Sequence, residues 1–242
     1  MSLPKLSTPM FDVVIPSTKT KIKIRPMLVR EEKILLMAKE SGENGDILNS
    51  IKQVVNNCIA DGDVDINKIA IFDLEYLFIK IRSISISNIT KVSYRDNEDN
   101  KLYDFDIDLD KVKVIYPENT QMSIKISDTA SIKMKYPDAS IYSDKTFEGK
   151  TESEVFEFMI INCIDKIYNG DEIYNIKDYT IEEIIEYIES MDINTYNKFR
   201  EFTNNLPHIE YKIEYKNSLN NDREIILSTL NDFFMLGWTT IL

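Results

Sequence analysis

Apolar residues recur along this chain with two different periods, and the switches between them divide it into elements. Residues 11–15 form a short apolar run, Pro16-Ser17-Thr18 is a turn cluster, and Lys21-Ile22-Lys23-Ile24-Arg25 alternates strictly. This pattern predicts an N-terminal β-hairpin that Pro26 ends. Helical spacing follows. Residues 29–40 place Ile34, Leu35 and Ala38 on one face, and Ser41-Gly42 stops the helix. Asp46 is positioned to cap a second helix with an apolar stripe through Ile47, Ile51, Val54, Val55, Cys58 and Ile59. Asp73 is positioned to cap a third, residues 74–83, carrying Leu77, Phe78 and Ile81.

The middle of the chain changes period. Residues 89–94 and 102–109 read as strands on either side of a polar tip at 96–100, and 112–116, 122–126 and 131–136 as shorter extended pieces. Residues 137–150 are polar and read as loop. Helical spacing returns over 153–168, 180–190 and 193–203, with Thr180 and Glu183 forming a capping box. A last hairpin, 209–215 and 224–227 with its tip at 217–222, precedes an apolar terminal helix at 230–238.

The expected fold class is therefore α+β, helical bundles with antiparallel β-hairpins. Two domains are expected, 1–150 and 151–242, with close packing as one domain left open. The halves resemble each other. Asn57-Cys58-Ile59 matches Asn162-Cys163-Ile164, and each is followed by an acidic, Gly-containing stretch and a new helix. Tyr94-Arg95-Asp96-Asn97 matches Tyr215-Lys216-Asn217-Ser218 before each hairpin tip. An internal duplication of three helices plus a hairpin accounts for this, as does chance likeness between two amphipathic halves.

The 242 residues carry 29 Lys+Arg against 41 Asp+Glu, a formal charge of −12. That disfavours general nucleic-acid binding and docking on anionic lipid, so neither a nucleic acid nor a membrane is an expected partner. No apolar run is long enough to span a bilayer, the start lacks a secretory apolar core, and two cysteines make no disulfide framework. A cytoplasmic setting is expected. Ile occurs 37 times and Ala 5, a bias that fits an AT-rich genome. Charge is uneven: residues 1–39 are net +5 and residues 151–190 net −9.

Candidate chemistry is sparse. Asp61, Asp63, Asp65 and Asn67 have the oxygen spacing of a calcium loop, but Ile66 and Phe72 stand where Gly and Glu are required. Asp104, Asp106, Asp108 and Asp110 alternate along a strand, so a metal-dependent site and a plain solvent face with Lys91, Lys111 and Lys113 as partners both fit. Cys58 and Cys163 lie on apolar stripes, and the single histidine, His208, opens a strand. No nucleotide, hydrolase or zinc motif is present, so no catalytic, cofactor or metal residues are assigned. The segment with Phe233, Phe234, Met235 and Trp238 reads either as partner-binding anchors or as a terminal helix docked in its own core.

Several segments together carry a resemblance. They are Leu3-Pro4-Lys5-Leu6-Ser7-Thr8-Pro9, Ile15-Pro16-Ser17-Thr18, the run from Arg25-Pro26-Met27-Leu28 to Met37-Ala38, Phe72-Asp73-Leu74-Glu75-Tyr76-Leu77-Phe78, Arg82-Ser83 and Phe233-Phe234. The chain resembles the baseplate hub assembly protein family of T-even and related contractile-tailed phages, most densely over residues 3–115. Some members carry Cys pairs at the hairpin tips, like small zinc ribbons. Here the tips hold neither Cys nor His, so the resemblance implies zinc-ribbon-like hairpins held by turn chemistry. It further implies a role in virion morphogenesis without catalysis. The chain would act as a chaperone in the host cytoplasm or as a permanent hub subunit in the virion tail. Its partners would be baseplate hub and tape-measure-type tail proteins.

Overall fold

The computed structural model describes residues 6–41, 44–141 and 150–234. It is an α+β protein in which every strand pair is antiparallel. The chain divides into two compact units. The first comprises residues 1–115 and 208–242, the second residues 116–207. The expected division at 150/151 differs from this. Strand β6 (Lys113–Ile115) pairs with β11 (His208–Lys216), Ile115 opposite His208, so the second unit is inserted between two neighbouring strands of the first.

In the first unit, strands β1 (Phe11–Val14), β2 (Lys21–Ile24) and β3 (Ile59–Asp61) form one sheet. Helices α1 (Val29–Ser41) and α2 (Asn44–Cys58) lie between β2 and β3 in sequence and pack on each other. Helix α3 (Ile71–Ser85) is apolar nearly all round and is the central helix, burying Phe72, Leu74, Leu77, Phe78, Ile79 and Ile81. It begins three residues before the predicted start, so Asp73 is not its cap. That carboxylate is buried and accepts bonds from the Ser17 amide at 2.9 Å and the Ser17 hydroxyl, which fixes the β1–β2 turn.

A buried ion pair joins three of these elements. Glu31, fully buried on α1, accepts from Arg25 Nη2 at 3.0 Å, Arg30 Nε at 2.7 Å and the Leu28 amide at 2.8 Å. Arg25 also donates to the carbonyls of Pro26 at 2.9 Å and Asn57 at 2.8 Å. Desolvation alone would raise the Glu31 carboxyl, but these donors and the Arg25 charge outweigh it and hold the group down to about 2.

The hairpins β4 (Ile89–Arg95)/β5 (Leu102–Asp108) and β11/β12 (Asp222–Leu227) meet at their polar tips. Asp96, wholly buried, caps its own turn through the Glu98 amide at 2.7 Å and accepts from Arg223 Nε at 3.0 Å and the Tyr215 hydroxyl. Asn217 does the same in the other tip, accepting from the Leu219 and Asn221 amides, both at 3.0 Å, while its amide donates to Glu98. Asn100 and Asn220 take matching positive φ values of 59° and 65°. Asp99 accepts from the Ser218 amide at 2.9 Å and the Tyr103 hydroxyl at 2.6 Å. Turn chemistry and cross-tip polar bonds hold these hairpins together.

The second unit is a four-stranded sheet, β10 (Glu172–Asn175), β9 (Ile164–Asn169), β8 (Ala130–Met134) and β7 (Ser123–Lys125), in that order. Helices α4 (Glu152–Cys163), α5 (Ile181–Glu189) and α6 (Ile193–Asn204) share a core with it, centred on Ile132, Met134, Ile160, Cys163, Phe199 and Phe202. The predicted helix over 153–168 is corrected here. It ends at Cys163, and residues 164–169 are strand, turning at Asn169-Gly170 into β10, which the sequence reading missed.

The two Asn-Cys-Ile segments have the same surroundings. Each Cys ends a helix, and its carbonyl accepts a backbone bond from the residue just after a strand, Arg25 at 2.9 Å for Cys58 and Lys135 at 2.7 Å for Cys163. Each following Ile pairs with that strand's last residue beside a register shift, Ile24 with Ile59 and Met134 with Ile164. Those cations in turn face acids, Arg25 with Glu31 and Lys135 with Asp138 at 3.8 Å.

Replacing Glu31 with Gln is expected to destabilise the protein by about 3–5 kcal/mol near neutral pH, since Arg25 then stays buried without its counter-charge. Because the carboxyl is depressed when folded, this contribution is present above the unfolded value near 4.5 and disappears as pH falls towards 2. Urea denaturation of both proteins between pH 7 and pH 2 checks this through convergence of the two curves at acid pH.

Candidate partner-binding surfaces

Helix α7 (Leu230–Phe234) turns Phe233 and Phe234 inward, and both are fully buried. Phe234 lies 6.4 Å, centroid to centroid, from Phe78 of α3, and Phe233 joins a core that includes Ile79, Ile107, Ile209 and Ile213. Arg82 donates to the carbonyls of Phe233 at 2.6 Å and Phe234 at 3.3 Å. These two rings are thus core residues and offer a partner no accessible surface in this conformation, because their helix is docked on α3. Met235 and Trp238 lie outside the described residues.

Exposed apolar surface appears elsewhere. On α1 the buried positions Leu35 and Ala38 face inward, while Val29, Leu36 and Met37 lie on the opposite face, 67%, 38% and 69% exposed. One helix thus presents two apolar faces, and among the described residues only the inner one is packed. The sequence reading used the inner stripe and missed the outer one, although Val29, Leu36 and Met37 fall at i, i+7 and i+8.

The acidic candidates separate. Along β5, Asp104 and Asp108 have side-chain partners and Asp106 faces Lys91 across the hairpin. Lys91 lies directly opposite Asp106 in register, Ser93 donates to Asp104 at 2.5 Å, and Lys111 sits 3.6 Å from Asp108. Asp65 accepts from the Asn67 amide at 3.1 Å and pairs with Lys68 at 2.8 Å, an ordinary polar turn. Among the described residues no group of three His, Cys, Asp or Glu side chains is placed to hold a metal ion. Burial pushes the Cys58 thiol up to about 11 and the Cys163 thiol up to about 12, against thiolate formation. His208 opens β11 with Nε2 3.8 Å from Glu210.

The second unit holds a cavity of about 430 Å³, within the roughly 300–1,000 Å³ usual for ligand sites. Strands β9 and β10 and helix α5 wall it. Its floor is Ile167, Ile176 and Ile184, and Tyr174, Tyr179 and Tyr187 stand around it with Glu183. The Tyr174 and Tyr179 rings are 6.3 Å apart. Glu183 is fixed by the Thr180 capping box, as the sequence predicts.

A family model described as T4 bacteriophage base plate protein matches residues 8–235, nearly the whole chain. The chain belongs to that family. Membership in the T4 base plate protein family gives it a structural or assembly role in the phage baseplate, among other tail and baseplate proteins. No curated protein and no solved structure matches the chain significantly. For this base plate family protein, no described helix is long and apolar enough to cross a membrane.

One half-buried acid, Glu75, has no described counter-charge. Desolvation pushes the Glu75 carboxyl of α3 up to about 8. Since the unfolded group titrates near 4.5, the native fold is expected to lose stability as pH rises from that value to about 8. Glu75→Gln should match the parent near pH 4 and exceed it at pH 8, read by thermal melting at both values.

Proposed function

We propose that this base plate family protein is an assembly factor for the central hub of the tail baseplate, acting in the host cytoplasm by protein–protein binding without catalysis. The observation that carries this reading is the outer face of α1. Val29, Leu36 and Met37 are apolar, exposed and aligned on a helix whose inner face is already packed. Helix-on-helix contact would bury such a stripe, and tape-measure-type and hub proteins fit as partners because their helices expose apolar surface before assembly. The net charge of −12 keeps a chain with such a face soluble. A permanent place in the virion hub is the second reading, and membership in a base plate family supports it as it supports the first.

Co-expression with each tail and baseplate protein of the same phage is expected to yield a stable complex with a hub or tape-measure-type protein. Met37→Asp with Val29→Asp should weaken that complex at least about tenfold without lowering the melting temperature, since both side chains are exposed. Quantitative mass spectrometry of purified virions beside the infected lysate separates the two readings. Abundance in lysate alone marks a departing assembly factor, and fixed copies per particle mark a hub subunit.

A further inference from the structure

The cavity of the second unit combines features that a purely structural gap does not need. Its lining joins aliphatic side chains, three tyrosine rings and one carboxylate, Glu183. Residues 171–189, which supply most of the walls, carry seven acids and one lysine. Of the lining residues, Tyr179 is 41% exposed, so an aromatic ring of the cavity meets solvent, as at an interface anchor site.

We propose that this cavity receives a lysine or arginine side chain from a basic segment of another tail or baseplate protein. The chemistry selects that occupant. The aliphatic stem of such a side chain would lie on Ile167, Ile176 and Ile184, and its cationic head would reach the faces of Tyr174, Tyr179 and Tyr187. Glu183 supplies the counter-charge, and its capping bond from the Thr180 amide at 2.8 Å engages only one of its two oxygens. An acidic or neutral polar segment would meet repulsion or unpaired burial in the same place. The surrounding net charge of −6 over residues 171–189 would steer a basic segment to the mouth.

This inference rests on the assembly reading for the class of partner, but it concerns a different surface from α1, and the test separates the two. Each tail and baseplate protein of the same phage, purified singly, is titrated against the full chain and against Tyr179→Ala and Glu183→Gln. Glutamine at that position keeps a capping box while removing the charge, and Tyr179 is exposed, so both variants are expected to fold. The expected result is a partner whose affinity falls about tenfold with each variant. That affinity also falls as salt rises from about 0.05 M to about 0.5 M. Peptides tiled along that partner should bind only where they carry Lys or Arg. A partner bound equally well by both variants overturns the cavity inference and leaves the assembly reading standing. Binding that is salt-insensitive, or that maps to a segment without Lys or Arg, overturns the cationic occupant. Self-association of the parent that both variants abolish assigns the cavity to a second copy and overturns a foreign partner. Failure of every tail protein to bind overturns both readings together.

Discussion

The pairing of β6 with β11 is the constraint on which the larger unit depends. Three residue pairs, His208–Ile115, Ile209–Val114 and Glu210–Lys113, bring back a chain that has left for the whole of residues 116–207. Closing so long an excursion costs only logarithmically more than closing a short one, so an inserted unit is thermodynamically tolerable. What the return gains is large. β11 carries Ile209 and Ile213 into a core with Ile79, Ile107 and Val112, and Phe233 of α7 completes it. The same return brings β12 to the β4/β5 tip and α7 onto α3.

Polar groups then set the details that apolar burial leaves free. Asp96 and Asn217 are buried, but each satisfies its own turn and a partner in the other hairpin. Such a network orients two hairpins that hydrophobic contact alone would leave free to slide. The rings of Tyr103 and Phe105, 5.0 Å and 5.1 Å from Tyr215, close the contact from the apolar side. Arg25 and Glu31 act similarly elsewhere in the unit, tying the end of β2 to α1 and to the last turn of α2. In both places the sequence shows only ordinary charged residues in loops and at helix starts.

Partner binding and chain packing compete for the same residue types here. Aromatics in a terminal segment suggest interface anchors, yet Phe233 and Phe234 are spent on the core. Apolar residues that remain exposed include Val29, Leu36 and Met37 on the outer face of α1 and Tyr179 at the tyrosine-walled cavity, where the sequence shows no unusual density. This distribution leaves two separate apolar surfaces open to solvent, one aliphatic on α1 and one aromatic at the cavity, on two separately packed units.

Local pattern by itself determined the α+β class, the alternating hairpins, the Thr180–Glu183 cap and most helices, because each follows from spacing within a few residues. The asparagine-rich tips were equally legible, since Asn tolerates positive φ and binds its own backbone. Local pattern did not place the end of α4. Residues 160–168 are apolar at helical spacing too, and pairing with β8 and β10, begun by the Lys135 bond to the Cys163 carbonyl, turns the chain into strand. Asn169-Gly170 was the one local signal of that hairpin. Likewise, Asp73 has the look of a helix cap, but it became the buried acceptor of Ser17 because α3 starts earlier and packs on the first hairpin. The unit boundaries, the fate of the terminal phenylalanines and the tyrosine cavity were decided by tertiary structure alone. Each depends on contacts between residues far apart in the chain, and a periodicity read over a dozen positions carries no information about which distant surface will cover a given face.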